Sequence, residues 1–219
     1  MRVLKCDCSK GLNDNCIQAA MAAAEDIAAG NLIVYPTDTV YGIGADIYNE
    51  VAVKNLYLAK RRPFDMALSV AVADRKMMES VAILNETADK LIKAFLPGPL
   101  TIIIKKNPEV PDIVTAGSQK VGIRIPDHPI ALEIARRSGP IVATSANIHF
   151  QPDAIDIGMA TAALGNSVST YIDAGHSPSG KPSTIIWIKD KEYEIIRQGP
   201  ITEAVSYTHL RAHETDSYL

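Results

Sequence analysis

A chain of 219 residues, 47% hydrophobic and 21% charged, is long enough for one domain with a sizeable core, or one domain and a tail. The net charge of −3 leaves no global footprint for nucleic acid, so a polyanion would have to be held by a local cationic groove. No apolar run approaches the roughly 18 residues of a membrane span and no signal-peptide pattern opens the chain, which points to a cytoplasmic protein without a membrane partner.

Near the N-terminus stand the three cysteines, Cys6, Cys8 and Cys16. Their odd number does not suggest a disulfide framework, and no fourth Cys or His lies beside them in sequence, so no metal site is expected. "DNCIQAAMAAAEDIAAG" reads as an Ala-rich helix capped by Asn13 or Asp14 and stopped at Gly30. "NLIVYP" is a short buried strand ending at Pro36, and "NEVAVKNLYLAKR" a helix with Asn49 as its cap. "ALSVAVA" is a β-type run, "NETADKLIKAFLPGP" a helix broken by Pro-Gly-Pro, and "LTIIIKK" a strand. Strand "VGIRIP", helix "PIALEIARRSG", strand "PIVATSAN", a weaker helix over 156–164 and strands "STYIDAG", "STIIWI" and "EYEIIRQ" follow. The alternation predicts an α/β fold. Its sheet should be mixed, because the last strands follow one another closely. Residues 1–204 form the expected domain; 205–219, which include His209 and His213, have no sustained apolar period and read as a disordered or non-native tail.

Five segments offer chemistry. "YPTDTVYGIGAD" (35–46) places the hydroxyls of Thr37, Thr39 and Tyr41 before Gly42 and Gly44 at a strand's carboxyl end, where open α/β sheets bind ligands. A Gly-rich turn closed by its own Thr and Asp bonds explains the same residues. Lys60, Arg61 and Arg62 suit a phosphate or carboxylate, and equally a helix C-terminus whose dipole favours cations. Arg124, inside the apolar strand "VGIRIPDHP", needs a partner: Asp127, another acid, or a ligand carboxylate. His128 fits a helix start. "ATSAN" supplies Thr144, Ser145 and Asn147 where a strand meets a loop; no Ser–His–Asp set or G-x-S-x-G elbow accompanies them, so no covalent nucleophile is expected. "GKPSTIIWI" and "IIRQGP" add Ser183, Thr184 and Arg197.

These pieces, with K-x-R-P at Lys60–Pro63 and "LPGPLTIIIK", come in one order across residues 12–202. They resemble the YrdC/TsaC-type threonylcarbamoyl-AMP synthase family in its short, single-domain form. The resemblance implies a twisted mixed sheet flanked by helices, with a basic concave face. It also implies a nucleotidyltransferase that joins L-threonine, bicarbonate and ATP into threonylcarbamoyl-AMP with release of pyrophosphate. Other proteins, downstream threonylcarbamoyl transferases, would then pass the group to adenosine 37 of tRNA. By position, Lys60, Arg62, Ser145, Asn147 and Arg197 would contact ATP. Thr37, Thr39, Arg124, Thr144, Ser183 and Thr184 would contact threonine. Mg²⁺ would arrive with ATP and need no protein cage.

This chain departs from the family at two places. Met66 and Ala67 stand where a Lys or Asn and a Pro are frequent, and His149 and Phe150 replace a Ser-Gly-rich turn after "SAN". The lid over the nucleotide is therefore expected to differ. A non-catalytic double-stranded RNA or tRNA-binding module of the same fold, holding RNA weakly, is the competing reading. Acidic net charge and the lack of an aromatic-rich RNA motif weigh against it. A carbamoyl-transfer domain of the hydrogenase-maturation kind belongs to much larger chains with zinc-finger motifs.

Overall fold

In a computed structural model the chain alternates strands and helices as β1 (Arg2–Lys5), α1 (Asp14–Ala28), β2 (Ile33–Tyr35), β3 (Gly42–Gly44), α2 (Glu50–Lys60), β4 (Ser69–Ala71), α3 (Arg75–Val81), α4 (Glu86–Phe95), β5 (Leu100–Lys105), α5 (Asp112–Thr115), β6 (Lys120–Arg124), α6 (Pro129–Ser138), β7 (Ile141–Ser145), α7 (Ile157–Leu164), β8 (Thr170–Asp173), β9 (Thr184–Lys189) and β10 (Glu192–Arg197). The structure describes residues 1–9, 11–189 and 192–202. The stretch 205–219, read as a tail, lies outside them with His209 and His213.

The helices start where the sequence supplies caps. Asn13, Asn49, Asp74, Asn85 and Asp156 each accept a backbone N–H three residues on, an interaction worth about 1 kcal/mol apiece. His128 caps α6, its Nδ1 accepting from Ile130 N at 3.3 Å. Burial holds this imidazole down at about 4, neutral at ordinary pH, so it serves the helix start.

The ten strands form one sheet in the order β1-β8-β2-β3-β7-β4-β6-β5-β9-β10. It is mixed: β4 pairs parallel with β6 and antiparallel with β7, while β5 pairs antiparallel with β6 and parallel with β9. Strand alternation then sorts the side chains between two faces. Val34, Ile43, Val70, Ile102, Ile123 and Val142 face one way, into a core closed by α2, α3, α4 and α7 through residues such as Leu56, Met78, Leu91 and Ala160. On the other face Ile33, Tyr35, Ala71 and Ile141 meet the small residues of α1 and Ile130 and Ile134 of α6. These two helices cover the β2 side of that face. The stretch over β4, β6, β5 and β9 is left open as a concavity.

Two small residues shape this open face. A Cβ at Gly42 would stand 3.0 Å from the Tyr35 ring, and one at Gly122 would stand 2.9 Å from Ser69 Oγ. The β2–β3 and β4–β6 pairs therefore depend on the absence of side chains there.

Beyond β7 the chain turns sharply. Phe150 has φ 65°, in the left-handed region, and is 86% exposed. A non-glycine residue there carries a cost of about 1–2 kcal/mol that glycine avoids. Phe150→Gly is expected to leave stability unchanged or raise it by up to about 1 kcal/mol, the added unfolded-chain entropy offsetting part of the relief. Urea unfolding would check this; a loss of about 2 kcal/mol or more would show that the contact of the ring with His149 outweighs the relief of the backbone.

Candidate functional site

The open face is a cavity of about 540 Å³, within the usual range for small-molecule sites. Its floor is the alternate residues of the central strands, Ser69, Ala71, Thr101, Gly122, Ala143 and Ser145. Of the residues that the resemblance assigns to ATP or threonine, Thr37, Thr39, Lys60, Arg62, Arg124, Thr144, Ser145, Asn147, Ser183 and Arg197 line it. Thr184 is the exception. It is fully buried behind the wall, where its hydroxyl donates to Ile201 O and accepts from Gly199 N and Ile201 N. It ties down the return of the chain after β10, and no donor or acceptor is left for a ligand. The sequence expectation of a threonine contact there is corrected accordingly.

Lys60 reaches the cavity because α2 carries it on its buried side: Val53, Leu56, Tyr57 and Lys60 repeat at helical spacing and all are buried. Its side chain is 1% exposed. The ammonium donates to Ser145 O, to Asn147 O at 2.8 Å and to Asn147 Oδ1 at 3.0 Å, which uses all three hydrogens. Burial, and after it the Arg62 charge, lower its pKa to about 7. Arg61 takes the left-handed cap of α2 at φ 51° and is exposed, away from the cavity. Arg62 turns back in, donating from Nε to Met66 O at 3.0 Å and from Nη2 to Ala67 O at 2.8 Å.

The two departures in sequence therefore meet in space. Met66 and Ala67 offer their carbonyls to Arg62, while His149 accepts from Arg62 Nη1 at 3.4 Å through Nδ1 and donates to Met66 Sδ at 3.1 Å through Nε2. Desolvation and the charges of Arg62 and Lys60 hold His149 below its ordinary value, in keeping with this neutral tautomer. Phe150 lies tilted against His149, with ring centroids 3.9 Å apart and planes at 38°, at the cavity rim.

At the opposite end stands Arg124, 7% exposed. Its partner is Asp38, at 2.6 Å, and not Asp127, whose backbone N–H instead donates to the same carboxylate oxygen. Nη1 donates to Thr39 Oγ1 at 3.0 Å, and Thr37 and Thr39 share a hydrogen bond while Thr37 Oγ1 donates to Val40 O. The Thr and Asp bonds of this turn thus hold Arg124 in place. The guanidinium Nε is buried without a partner. A buried orphan donor is costly, and the same ion pair also leaves Asp38 Oδ2 buried without a partner. Arg197 belongs to this end as well: it donates to Ser183 O and Oγ, and Ser183 pairs with Thr101, which lies level with Arg124.

Five cations line the cavity, Lys60, Arg62, Lys120, Arg124 and Arg197, against one lining carboxylate, Asp153. Among the described residues Lys60, Arg62, Lys120 and Arg197 have no carboxylate within ion-pair distance. A chain that is acidic overall thus carries a local positive field. Asp38, Asp153, Thr101 and Lys120 were not singled out in the sequence. The signal for Asp38 was present: it stands between Thr37 and Thr39, and the buried Arg124 required an acid.

Relatives agree with this architecture. The sequence model of a family described as Telomere recombination, covering Sua5, YciO and YrdC proteins, matches residues 25–199. A Methanocaldococcus jannaschii relative is 42% identical over 177 residues, 81% of this chain and 84% of its own. Threonylcarbamoyl-AMP synthase of Bacillus subtilis is 38% identical over 200 residues, 90% of this chain and 58% of that protein. The crystal structure of Pyrococcus abyssi Sua5 complexed with L-threonine matches with a TM-score of 0.90 at 31% identity, over 96% of this chain and 61% of that one. The chain thus spans about three fifths of these two longer relatives. With the family's motifs in order along its sequence and the family's fold around its cavity, the chain belongs to the Sua5/YciO/YrdC family.

Proposed function

We propose that the chain is an L-threonylcarbamoyladenylate synthase, making threonylcarbamoyl-AMP and pyrophosphate from L-threonine, bicarbonate or CO₂, and ATP. The observation that carries this reading is the pairing, in one cavity, of an amino-acid-sized corner at Arg124 with a cationic corner at Lys60 and Arg62, neither of which has a carboxylate within ion-pair distance among the described residues. The register from β7 through β4 to β6 sets Ser145 and Arg124 four residues along and two strands apart, roughly 15 Å between backbones. That span suits an aminoacyl group joined to a nucleotide better than either alone.

In this reading the threonine carboxylate is received at the Arg124 corner of the cavity. The guanidinium is fixed for it by Asp38 and Thr39, so little ordering is needed on binding. The threonine amine attacks CO₂ with loss of a proton, or bicarbonate with loss of water, to form a carbamate. A carbamate oxygen then attacks the α-phosphorus of ATP as the bond to the β-phosphate oxygen breaks and pyrophosphate leaves. The reactants supply the nucleophiles, so the protein needs to align them and stabilise negative charge building on phosphate. Arg62 is placed to exchange carbonyl contacts for phosphate oxygens. Lys60 contributes its charge from below, through the Ser145–Asn147 turn that it holds. Arg197, with Ser183, closes the threonine end. The lone lining carboxylate, Asp153, is too little for an all-protein cage, which fits a Mg²⁺ carried by the nucleotide phosphates. Such an ion would neutralise charge on the triphosphate. Transfer of the product to tRNA falls to separate partner proteins.

Incubation with ATP, L-threonine and bicarbonate should release pyrophosphate only when threonine is present. Threonine-independent release, or none from the folded protein, would sink the reading; salt-sensitive RNA binding without activity would favour the binding module. Arg124→Ala should weaken threonine by roughly 10- to 100-fold, the worth of one or two charge-assisted hydrogen bonds, while ATP affinity changes far less. Equal losses would remove Arg124 from the threonine corner.

A pH dependence follows from Lys60. Its pKa in the free protein is lowered to about 7, and a bound triphosphate would raise it. Binding of ATP should therefore take up a proton near and just above pH 7, and affinity should fall as pH rises through that window. Calorimetry in buffers of different ionisation heat measures the uptake, and Lys60→Met should abolish it.

A further inference from the structure

The three cysteines, too sparse along the sequence to suggest a site, are brought together by the fold. Cys6 follows β1, Cys8 lies in the loop, and Cys16 sits in the first turn of α1. Cys8 Sγ lies 2.9 Å from Cys16 Sγ and 4.0 Å from Cys6 Sγ, and all three sulfurs fall within 4.8 Å of one another. The first spacing is closer than the roughly 3.5–4.0 Å at which non-bonded heavy atoms rest. Three thiolates at about 2.3 Å from one tetrahedral ion would sit about 3.8 Å apart, within the range spanned here.

Most of the contacts that bring the sulfurs together do not involve them, although the Cys16 thiol also donates to Asp7 O at 3.4 Å. Cys6 N donates to Asp173 O, Ser9 N to Asp7 Oδ1, Asn13 Nδ2 to Asp7 O at 2.8 Å and Asn15 Nδ2 to Lys5 O at 2.9 Å. Asn13 also caps α1 through Cys16 N. The loop is thus a preformed cradle with two buried thiols, Cys6 and Cys16, and one half-buried, Cys8. None of the three lines the cavity.

We propose that Cys6, Cys8 and Cys16 form a three-thiolate site for a thiophilic divalent cation of the Zn²⁺ type, which clasps the edge strand β1 to α1. Loading exchanges up to three thiol protons, released to buffer, for one cation whose fourth position is taken by a solvent ligand.

The test is titration of the reduced, chelator-stripped full chain with Co²⁺ under exclusion of air. One equivalent should produce sulfur-to-cobalt charge-transfer absorption in the near ultraviolet, and one equivalent of Zn²⁺ should bleach it. Zn²⁺ should also raise the unfolding temperature. Cys8→Ser, at the half-buried position, should unfold at the same temperature as the metal-free chain, yet lose both the absorption and the Zn²⁺-induced rise. The proposal is overturned if the reduced chain gives no such band, or if Cys8→Ser keeps it. It is also overturned if the chain forms a metal-free Cys8–Cys16 disulfide, seen as a two-dalton mass loss, in the presence of equimolar Zn²⁺.

Discussion

A buried ammonium without a carboxylate partner is the constraint around which the cavity is organised. Lys60 is held by two backbone carbonyls and one amide oxygen. Such neutral acceptors solvate the charge without cancelling it. The cost is reflected in its lowered pKa, and it is borne at the junction of α2 with the turn after β7. A carboxylate in place of these acceptors would stabilise the lysine more and leave less field for an anion. Arg62 and Arg197 repeat the arrangement, each donating to backbone carbonyls. Arg124 does not: Asp38 neutralises it, so this end offers a fixed geometry and the other a positive field.

The sheet makes that division possible. Because α1 and α6 cover one part of their face and leave the rest open, residues two apart on β4, β5, β6 and β7 point into solvent-accessible space. The intervening residues build the main core. A strand such as β6 therefore serves both purposes, with Lys120, Gly122 and Arg124 above and Val121 and Ile123 below. Thr184 illustrates the limit of this rule. It sits at the start of β9, at the register position of Leu100, and the backbone after β10 folds over its hydroxyl.

Much of this was legible in the sequence because it is encoded locally. The caps of α1 and α2, the strand "VGIRIP" and the strand end at "ATSAN" depend on neighbours within a few residues. What was missed depends on distant contacts. "YGIG" has the composition of a turn, yet Gly42–Gly44 is a central strand, because bare glycines accept the Tyr35 ring of β2 against them. Edge strand β1 is short and mostly exposed, and takes its conformation from pairing with β8. In α3, "RKMMESV" buries only Met78 and Val81 and so shows little period. The Arg124–Asp38 pair spans 86 positions, and the cysteine cluster depends on how β1 and α1 meet.

The same logic applies to the two places where the chain leaves its family's pattern. Read separately, Met66–Ala67 and His149–Phe150 look like two independent losses of polar or small residues. In the fold they are one contact. Arg62 is gripped by the carbonyls of 66 and 67, His149 bridges Arg62 to the Met66 sulfur, and Phe150 lies on His149. A thioether is a soft, weak acceptor that a neutral imidazole N–H can use, whereas a lysine at 66 would set a cation against Arg62 and leave His149 without that acceptor. Each departure makes physical sense in the presence of the other, so the rim over the cationic end is best understood as a single repacked unit. Its exposed aromatic, Phe150, stands at the cavity rim beside the cationic end.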